Sequence, residues 1–167
     1  MRAGYIDFSN QEYIDNEAFE SWMTRGIPQF GDILFTTEAP LGMACKYPKD
    51  GVFGVGQRTV TLRVNEKLNS DFLLYFLLSE KGQLLIDLRS SGSTAKGIKS
   101  SELKKIKVYF PVIVEEQQKI ASALTAVDKE IKLLEVKLTH FKQEKKALMQ
   151  QLLTGKRRVK VDDKEVS

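Results

Sequence analysis

The residue types that carry most enzyme and metal chemistry are scarce in this chain. Among 167 residues there is one cysteine, Cys45, and one histidine, His140. A zinc site of the usual type needs four Cys or His ligands, and nucleophilic catalysis needs a nucleophile beside a base. We therefore expect no metal site, and we expect Cys45 as a small core residue and His140 on an outer helix face. A carboxylate-based metal nuclease remains the weakest alternative, because no spacing pairs two acids.

Two glycine-rich stretches also lack nucleotide-binding patterns. Residues 92–99 (GSTAKGIK) end without the Lys-Ser/Thr pair of a phosphate-binding loop. Residues 51–56 precede a predicted strand instead of following one, as a dinucleotide fingerprint would require. The sequence therefore favours a protein without catalytic residues of its own.

Positive charge is concentrated in one part of the chain. The formal net charge is +4, and residues 81–107 contain seven bases and two acids around the small residues of 90–97. Flexible small residues among lysines suit the close approach of phosphates. A solvated loop beside an amphipathic helix is the alternative reading of the same segment.

Residues 1–112 predict a small mixed α/β globular domain, so the fold class is α+β. Period-two alternation marks the strands over 58–64 and 106–110, whereas 32–37 is an apolar, β-prone run with 42–47 as its expected partner; proline and glycine mark the turns. Ser70 is expected to cap the second helix, and Gly82 to weaken it. The predicted elements are a helix over 16–24, strands over 32–37, 42–47 and 58–64, a helix over 71–88, and a strand over 106–110.

Residues 113–155 predict one long coiled-coil helix for spacing and dimerisation. Apolar residues recur at alternating intervals of 4 and 3, which is the pattern of a coiled-coil seam. The seam consists of Ile120, Leu124, Val127, Ile131, Leu134, Leu138, Phe141, Leu148 and Leu152, with Lys145 as its one polar position. A stripe of about 50 Å needs a partner, and Phe141 and Lys145 favour an antiparallel or heteromeric pairing.

The C-terminal tail and the length of the apolar runs indicate the environment in which the protein works. Gly155 is expected to end the helix, and residues 156–167 form a basic, flexible tail. The longest apolar run, Phe72 to Leu78, is far shorter than the about 20 residues of a membrane span. We therefore expect a protein without membrane contact, in the reducing cytoplasm.

Five landmarks in order resemble the specificity subunits of type I restriction–modification enzymes. Residues 30–42 (FGDILFTTEAPLG) resemble the "GDILFT…APLG" signature of their target-recognition domains, and Gly56-Gln57-Arg58 resembles the next landmark. Residues 91–98 (SGSTAKGI) resemble the "SGST…GI" segment. Residues 116–121 (EQQKIA), after Pro111, resemble the start of the conserved spacer helix, and residues 151–155 (QLLTG) resemble its end.

The resemblance implies a non-catalytic DNA reader. In that family two recognition domains each read half of a split double-stranded target, and two antiparallel helices set their distance. Methyltransferase subunits dock on the scaffold and carry S-adenosylmethionine, so no cofactor is expected here; restriction subunits join separately. This chain holds one such unit and lacks much of the usual opening of the domain. It therefore resembles a half-subunit or fragment, expected to form a homodimer through antiparallel helices.

Polar and basic residues in turns are the candidates for DNA contact under this resemblance. Phosphate contacts position a protein and base-edge contacts specify the sequence. Arg58 is the main candidate for base reading, because a guanidinium pairs bidentately with guanine; a structural salt bridge is its alternative role. The candidate DNA-binding residues are Arg58, Gln57, Lys46, Thr37, Ser93, Thr94, Lys96 and Lys99. A coiled-coil adaptor whose globular domain binds protein instead of DNA is the alternative function.

Overall fold

The chain combines a small mixed α/β domain with one long C-terminal helix, which confirms the predicted fold class. The computed structural model describes residues 1, 3–9, 12–93 and 95–160. The chain divides into two compact units, Met1–Ser122 and Ala123–Ser167. The elements of the described residues are α1 (Asn16–Trp22), β1 (Ile33–Thr36), β2 (Ala44–Lys46), β3 (Thr59–Leu62), α2 (Ser70–Leu78), α3 (Glu80–Leu88), α4 (Ser100–Leu103) and α5 (Val114–Leu152).

The sheet of the N-terminal unit is antiparallel, with the strand order β2-β1-β3. Ile33 lies opposite Lys46 on one side and opposite Leu62 on the other. All four residues of β1 are buried, as expected for a central strand. The three strands predicted before residue 65 are therefore confirmed, with shorter bounds.

Both faces of the sheet are covered by apolar side chains. On one face Ile33 and Phe35 pack against α2 and α3, and on the other Leu34 packs with Cys45 and Tyr47. Successive side chains of β1 point to opposite faces of the sheet, and this produces the division. The larger core cluster contains Ile33, Phe35, Ala44, Leu73, Leu74, Leu77, Ile86 and Ile98.

The single helix predicted over 71–88 is wrong, because Ser79 divides it into α2 and α3. The backbone of Ser79 is extended, with ψ of 156°, and its Oγ accepts a hydrogen bond of 3.1 Å from the Gly82 N–H. Ser79 therefore caps α3. Asn69, and not Ser70, caps α2 by accepting from the Phe72 N–H at 3.0 Å.

The strand predicted over 106–110 is also wrong. Its residues belong to no sheet, and within the described chain no strand pairs with them. Ile106 and Val108 nevertheless pack against the main core, while Lys107 and Tyr109 are exposed. The alternation thus reports which side chains face the core, but the segment lacks a neighbouring strand.

The predicted long helix is confirmed as α5, a helix of 39 residues. It begins in the N-terminal unit, where Gln117 and Ala121 are its buried residues. Gly155 adopts φ of +73°, and the Arg157 N–H bonds the Gln151 carbonyl at 2.9 Å. A glycine with positive φ ends helices in this way, as predicted.

Candidate nucleic-acid interface

Three loops meet at one end of the sheet. Thr37 follows β1, and both its N–H and its Oγ1 hydroxyl donate to the Arg58 carbonyl, at 2.8 and 3.1 Å. The Ile98 N–H in turn donates to the Thr37 carbonyl at 2.9 Å. We refer to residues 37–38, 57–58 and 91–98 as the loop cluster; Thr94 lies outside the described residues. Backbone bonds therefore hold together segments that are far apart in sequence.

The third loop of the cluster has a tightly defined backbone. Ser91 and Gly97 exchange two backbone hydrogen bonds of 2.8 and 2.9 Å. Gly92 adopts φ of +102°, and a Cβ there would lie 2.3 Å from the Ala95 carbonyl oxygen. Only glycine fits such a position without moving the loop. The Ser/Gly-rich composition of this segment thus has a steric reason.

Two basic side chains of the loop cluster lie at the surface in ion pairs. The Arg58 Nε is 3.1 Å from the Glu38 Oε1, and the two side chains are 69% and 51% exposed. The Lys96 ammonium pairs with the Asp87 carboxylate, also at the surface. Exposed ion pairs contribute about 0.2–1 kcal/mol each, so a phosphate or base edge can replace either acid at small cost.

The other candidates of the sequence analysis divide between the loop cluster and the rest of the surface. Gln57 and Ser93 are exposed within the cluster, and Lys99 is exposed directly after it. These side chains present amide, hydroxyl and ammonium donors, the groups that bind phosphate oxygens and base edges. The candidate Thr94 falls on a residue outside the described part of the chain.

Lys46 lies at the opposite end of the sheet from the loop cluster. It pairs with Ile33 in the β-ladder, whereas Thr36, next to Thr37, pairs with Thr59. Ile33 and Thr37 are four steps apart along the chain, which corresponds to about 13 Å in a strand. The Lys46 ammonium is 2.8 Å from the Asp71 carboxylate and 5.7 Å from the Phe30 ring centroid. The structure thus brings together all the described candidates except Lys46.

Three residues escaped the sequence reasoning, two in or beside the loop cluster and one at the beginning of α5. Glu38 and Asp87 neutralise Arg58 and Lys96, and no periodicity marks either acid as a partner. Gln117 is fully buried and joins α5 to two loops. Its position in a run of two glutamines and two glutamates looks like an ordinary helix surface, so only its resemblance to a family landmark singles it out.

The chemistry of the described residues outside the loop cluster is sparse. Burial raises the pKa of the Cys45 thiol to about 11, so near neutral pH the sulfur stays protonated and is a poor nucleophile. No group of three or more His, Cys, Asp or Glu among residues 1, 3–9, 12–93 and 95–160 could hold a metal ion. Over the same residues no helix is long and apolar enough to cross a membrane.

Comparison with known proteins defines the class of this loop-bearing domain. Residues 4–142 match the family model of the type I restriction modification DNA specificity domain. Because that match covers most of the chain, the chain belongs to this family, and the resemblance inferred from its landmarks is confirmed.

Two relatives in Methanocaldococcus jannaschii are type I restriction enzyme specificity subunits, MjaX and MjaIX. The chain is 33% identical to MjaX over 129 residues, covering 77% of this chain and 29% of the relative. It is 31% identical to MjaIX over 132 residues, covering 73% and 29%. This chain therefore spans about three-tenths of the length of these relatives.

Two solved structures share the fold. One is the type I restriction–modification S subunit from M. genitalium, with a TM-score of 0.60 and 21% identity over 77% of this chain and 34% of that one. The other comes from a study of assembly and conformational transition of a type I system, with a TM-score of 0.60, 24% identity, and coverage of 74% and 30%.

Proposed function

We propose that this chain is a non-catalytic DNA sequence-specificity component of a type I restriction–modification system. It binds one half of a split double-stranded target and scaffolds methyltransferase subunits through its long helix. The observation that carries the proposal is the loop cluster, which presents Arg58, Gln57 and Lys96 at one exposed end of a domain of this family. The methyltransferase subunits supply S-adenosylmethionine, and restriction subunits join the same assembly in the cytoplasm.

In this proposal Arg58 contacts the base edges, and the lysines contact the phosphates. Arg58 follows Gln57 in the sequence and both are exposed, so one short loop presents a guanidinium and an amide, two groups suited to bidentate base contacts. Lys96 lies within the turn that Ser91 and Gly97 close, and Lys99 follows it by two residues. Ammonium groups on such a turn suit phosphates, which contribute affinity but no sequence information.

The long helix acts as the spacer, and we assign it a second copy of the chain as its antiparallel partner. The seam residues of α5 are 38–57% exposed in the single chain. Burying a large apolar side chain contributes about 1.5–3 kcal/mol, so covering this seam stabilises an assembly substantially. The domain boundaries that go with this role are residues 1–112 for recognition, 113–155 for the spacer and 156–167 for the tail.

The test is selection of bound duplexes from a randomised DNA pool by the chain with the methyltransferase of its own system. We expect an enriched half-site, and affinity that falls with salt concentration. Arg58→Ala should cost about 1–3 kcal/mol and relax one position, whereas Lys99→Ala should weaken all sequences equally. Arg89→Ala, which removes an arginine paired with Glu102 outside the loop cluster, is the matched control.

The adaptor alternative predicts a different result in the same experiment. If the domain binds protein, no half-site is enriched and Lys96→Glu leaves the interaction of the chain with its partners unchanged. If the domain reads DNA, Lys96→Glu weakens duplex binding, because it replaces a phosphate-binding ammonium by a carboxylate.

A further inference from the structure

The outer edge of β3 is open. Thr37 and Arg58 form a hydrogen-bonded pair, so by alternation Val60 and Leu62 also direct their backbone groups toward β1. The N–H and C=O of Thr61 therefore point away from the sheet. Within the described chain no hydrogen bond reaches this edge at Thr61.

The other edge of the sheet, at β2, is partly paired. There Gly4 forms a bridge with Cys45, and its N–H donates to the Ala44 carbonyl at 2.8 Å. An unpaired edge with free N–H and C=O groups is a template for another strand. β3 is thus the edge of this sheet that remains able to accept one.

A cavity of about 610 Å³ runs along β3. Residues 59–63 all line it, and since neighbouring strand residues face opposite sides, a cavity touching all five must follow the strand's edge. Its volume falls within the range of about 300–1,000 Å³ of ligand sites. The lining also includes Ile106 and Val108, from the segment that lacks a strand partner.

The lining of the cavity specifies the chemistry of an occupant. Leu73, Leu77 and Leu103 form an apolar floor beside Val60 and Leu62. Arg25 and Lys104 also line it, with Arg63, whose guanidinium already pairs with the Asp32 carboxylate, whereas no acidic residue of the described chain lines it. Apolar side chains from an added strand would enter the floor, and acidic ones would meet the bases.

We propose that this groove binds an extended segment of a partner protein, with alternating apolar and acidic side chains, as a strand added between β3 and residues 106–108. Strand addition of this kind takes its affinity from main-chain hydrogen bonds and its specificity from side-chain pockets. A second copy pairing edge to edge would place the same bases opposite each other, so charge favours an acidic partner over self-association. The inference is independent of the loop cluster and of DNA binding.

Trp22 reports binding directly. It is the only tryptophan of the chain, it lines the cavity, and it is 54% exposed. The probes are two end-capped peptides of about nine residues, one alternating valine with glutamate and one alternating valine with lysine. We expect the glutamate peptide to shift the Trp22 emission saturably below about 1 mM, and at least about tenfold more tightly than the lysine peptide.

The matched variants are Thr61→Pro and Thr61→Val. Proline removes the outward N–H, which the sheet itself does not use, and proline is tolerated on edge strands. Thr61→Pro should weaken the glutamate peptide at least about tenfold while cooperative unfolding persists, and Thr61→Val should bind as wild type. If Thr61→Pro fails to fold, a glutamate peptide N-methylated on alternate residues replaces it, and it should not bind.

Three results would overturn the proposal. One is a Trp22 emission that neither peptide changes, and another is equal binding of the two peptides. The third is self-association of the chain that Thr61→Pro abolishes, which would place a second copy in the groove.

Discussion

Gln117 holds the beginning of α5 against two loops of the N-terminal unit. Its Oε1 accepts a hydrogen bond of 2.8 Å from the Asn69 N–H. Its Nε2 donates to the Lys67 carbonyl at 3.0 Å and to the Pro111 carbonyl at 2.7 Å. The side chain is fully buried, so water cannot replace these bonds. Asn69, which caps α2, and Pro111, three residues before α5, are therefore joined through one amide.

Gln117→Met removes the amide while keeping a side chain of similar length. It leaves the N–H of Asn69 and the carbonyl of Pro111, both on half-buried residues, without their partner, whereas the carbonyl of the exposed Lys67 can bond water. Each buried group left unsatisfied costs about 1–3 kcal/mol, with the N–H at the upper end because it has no second bonding site. We therefore expect Gln117→Met to lower the free energy of unfolding by about 2–4 kcal/mol, a large part of the about 5–15 kcal/mol of a typical domain.

Urea denaturation at one fixed protein concentration measures this loss, since assembly would otherwise change the apparent stability. Gln118→Met is the matched control, because Gln118 is the exposed neighbour on the same helix. It should change the free energy of unfolding by no more than about 0.5 kcal/mol. A loss below about 1 kcal/mol for Gln117→Met relative to Gln118→Met would refute the role assigned to this amide.

Three further perturbations follow from the structure. Hydrogen bonds from Arg63 lower the pKa of the buried Asp32 carboxyl. The ionised carboxylate therefore stabilises the fold fully above its pKa in the unfolded chain, about 3.9, and this stabilisation is lost as pH falls through the lower pKa of the folded chain. Asp32→Asn should thus flatten the acid side of a curve of urea midpoint against pH. Gly82→Ala should lower the free energy of unfolding by at least about 2 kcal/mol, because its Cβ would lie 2.0 Å from a backbone carbonyl oxygen of α2. Gly56→Ala is the control, since a Cβ there meets nothing within 4 Å. Equal melting temperatures of the two variants would contradict this prediction. Leu134→Lys changes a seam residue and should reduce the mass measured by sedimentation from that of a dimer to that of a single chain. Leu133→Lys changes a neighbour outside the seam and should leave the dimer mass unchanged. Equal masses for the two variants would argue against pairing through the seam.

The fold was predictable where local pattern and tertiary environment agree. β1 is a short apolar, β-prone run flanked by turn residues, and α5 repeats its seam with one polar position, so both could be predicted from local pattern alone. The division at Ser79 was missed because apolar residues continue across it, and only the capping geometry reveals the break. Residues 106–110 show that alternation predicts burial and extended backbone, but not the presence of a pairing partner.

The loop cluster was predictable only in part. The resemblance singled out Thr37, Arg58 and residues 91–98, and the fold brings them together through bonds between loops 21 and more residues apart. No local rule links such distant segments. Lys46 has the same charge and the same turn-rich surroundings as Arg58, yet its strand position places it at the far end of the sheet.

Footprinting of the chain on a selected duplex tests the central claim most directly, because it reports reading and spacing together. We expect two protected segments on one duplex, reduced to one by Leu134→Lys and weakened by Arg58→Ala. A single protected segment that Leu134→Lys leaves unchanged, or no protection at any salt concentration, would contradict it.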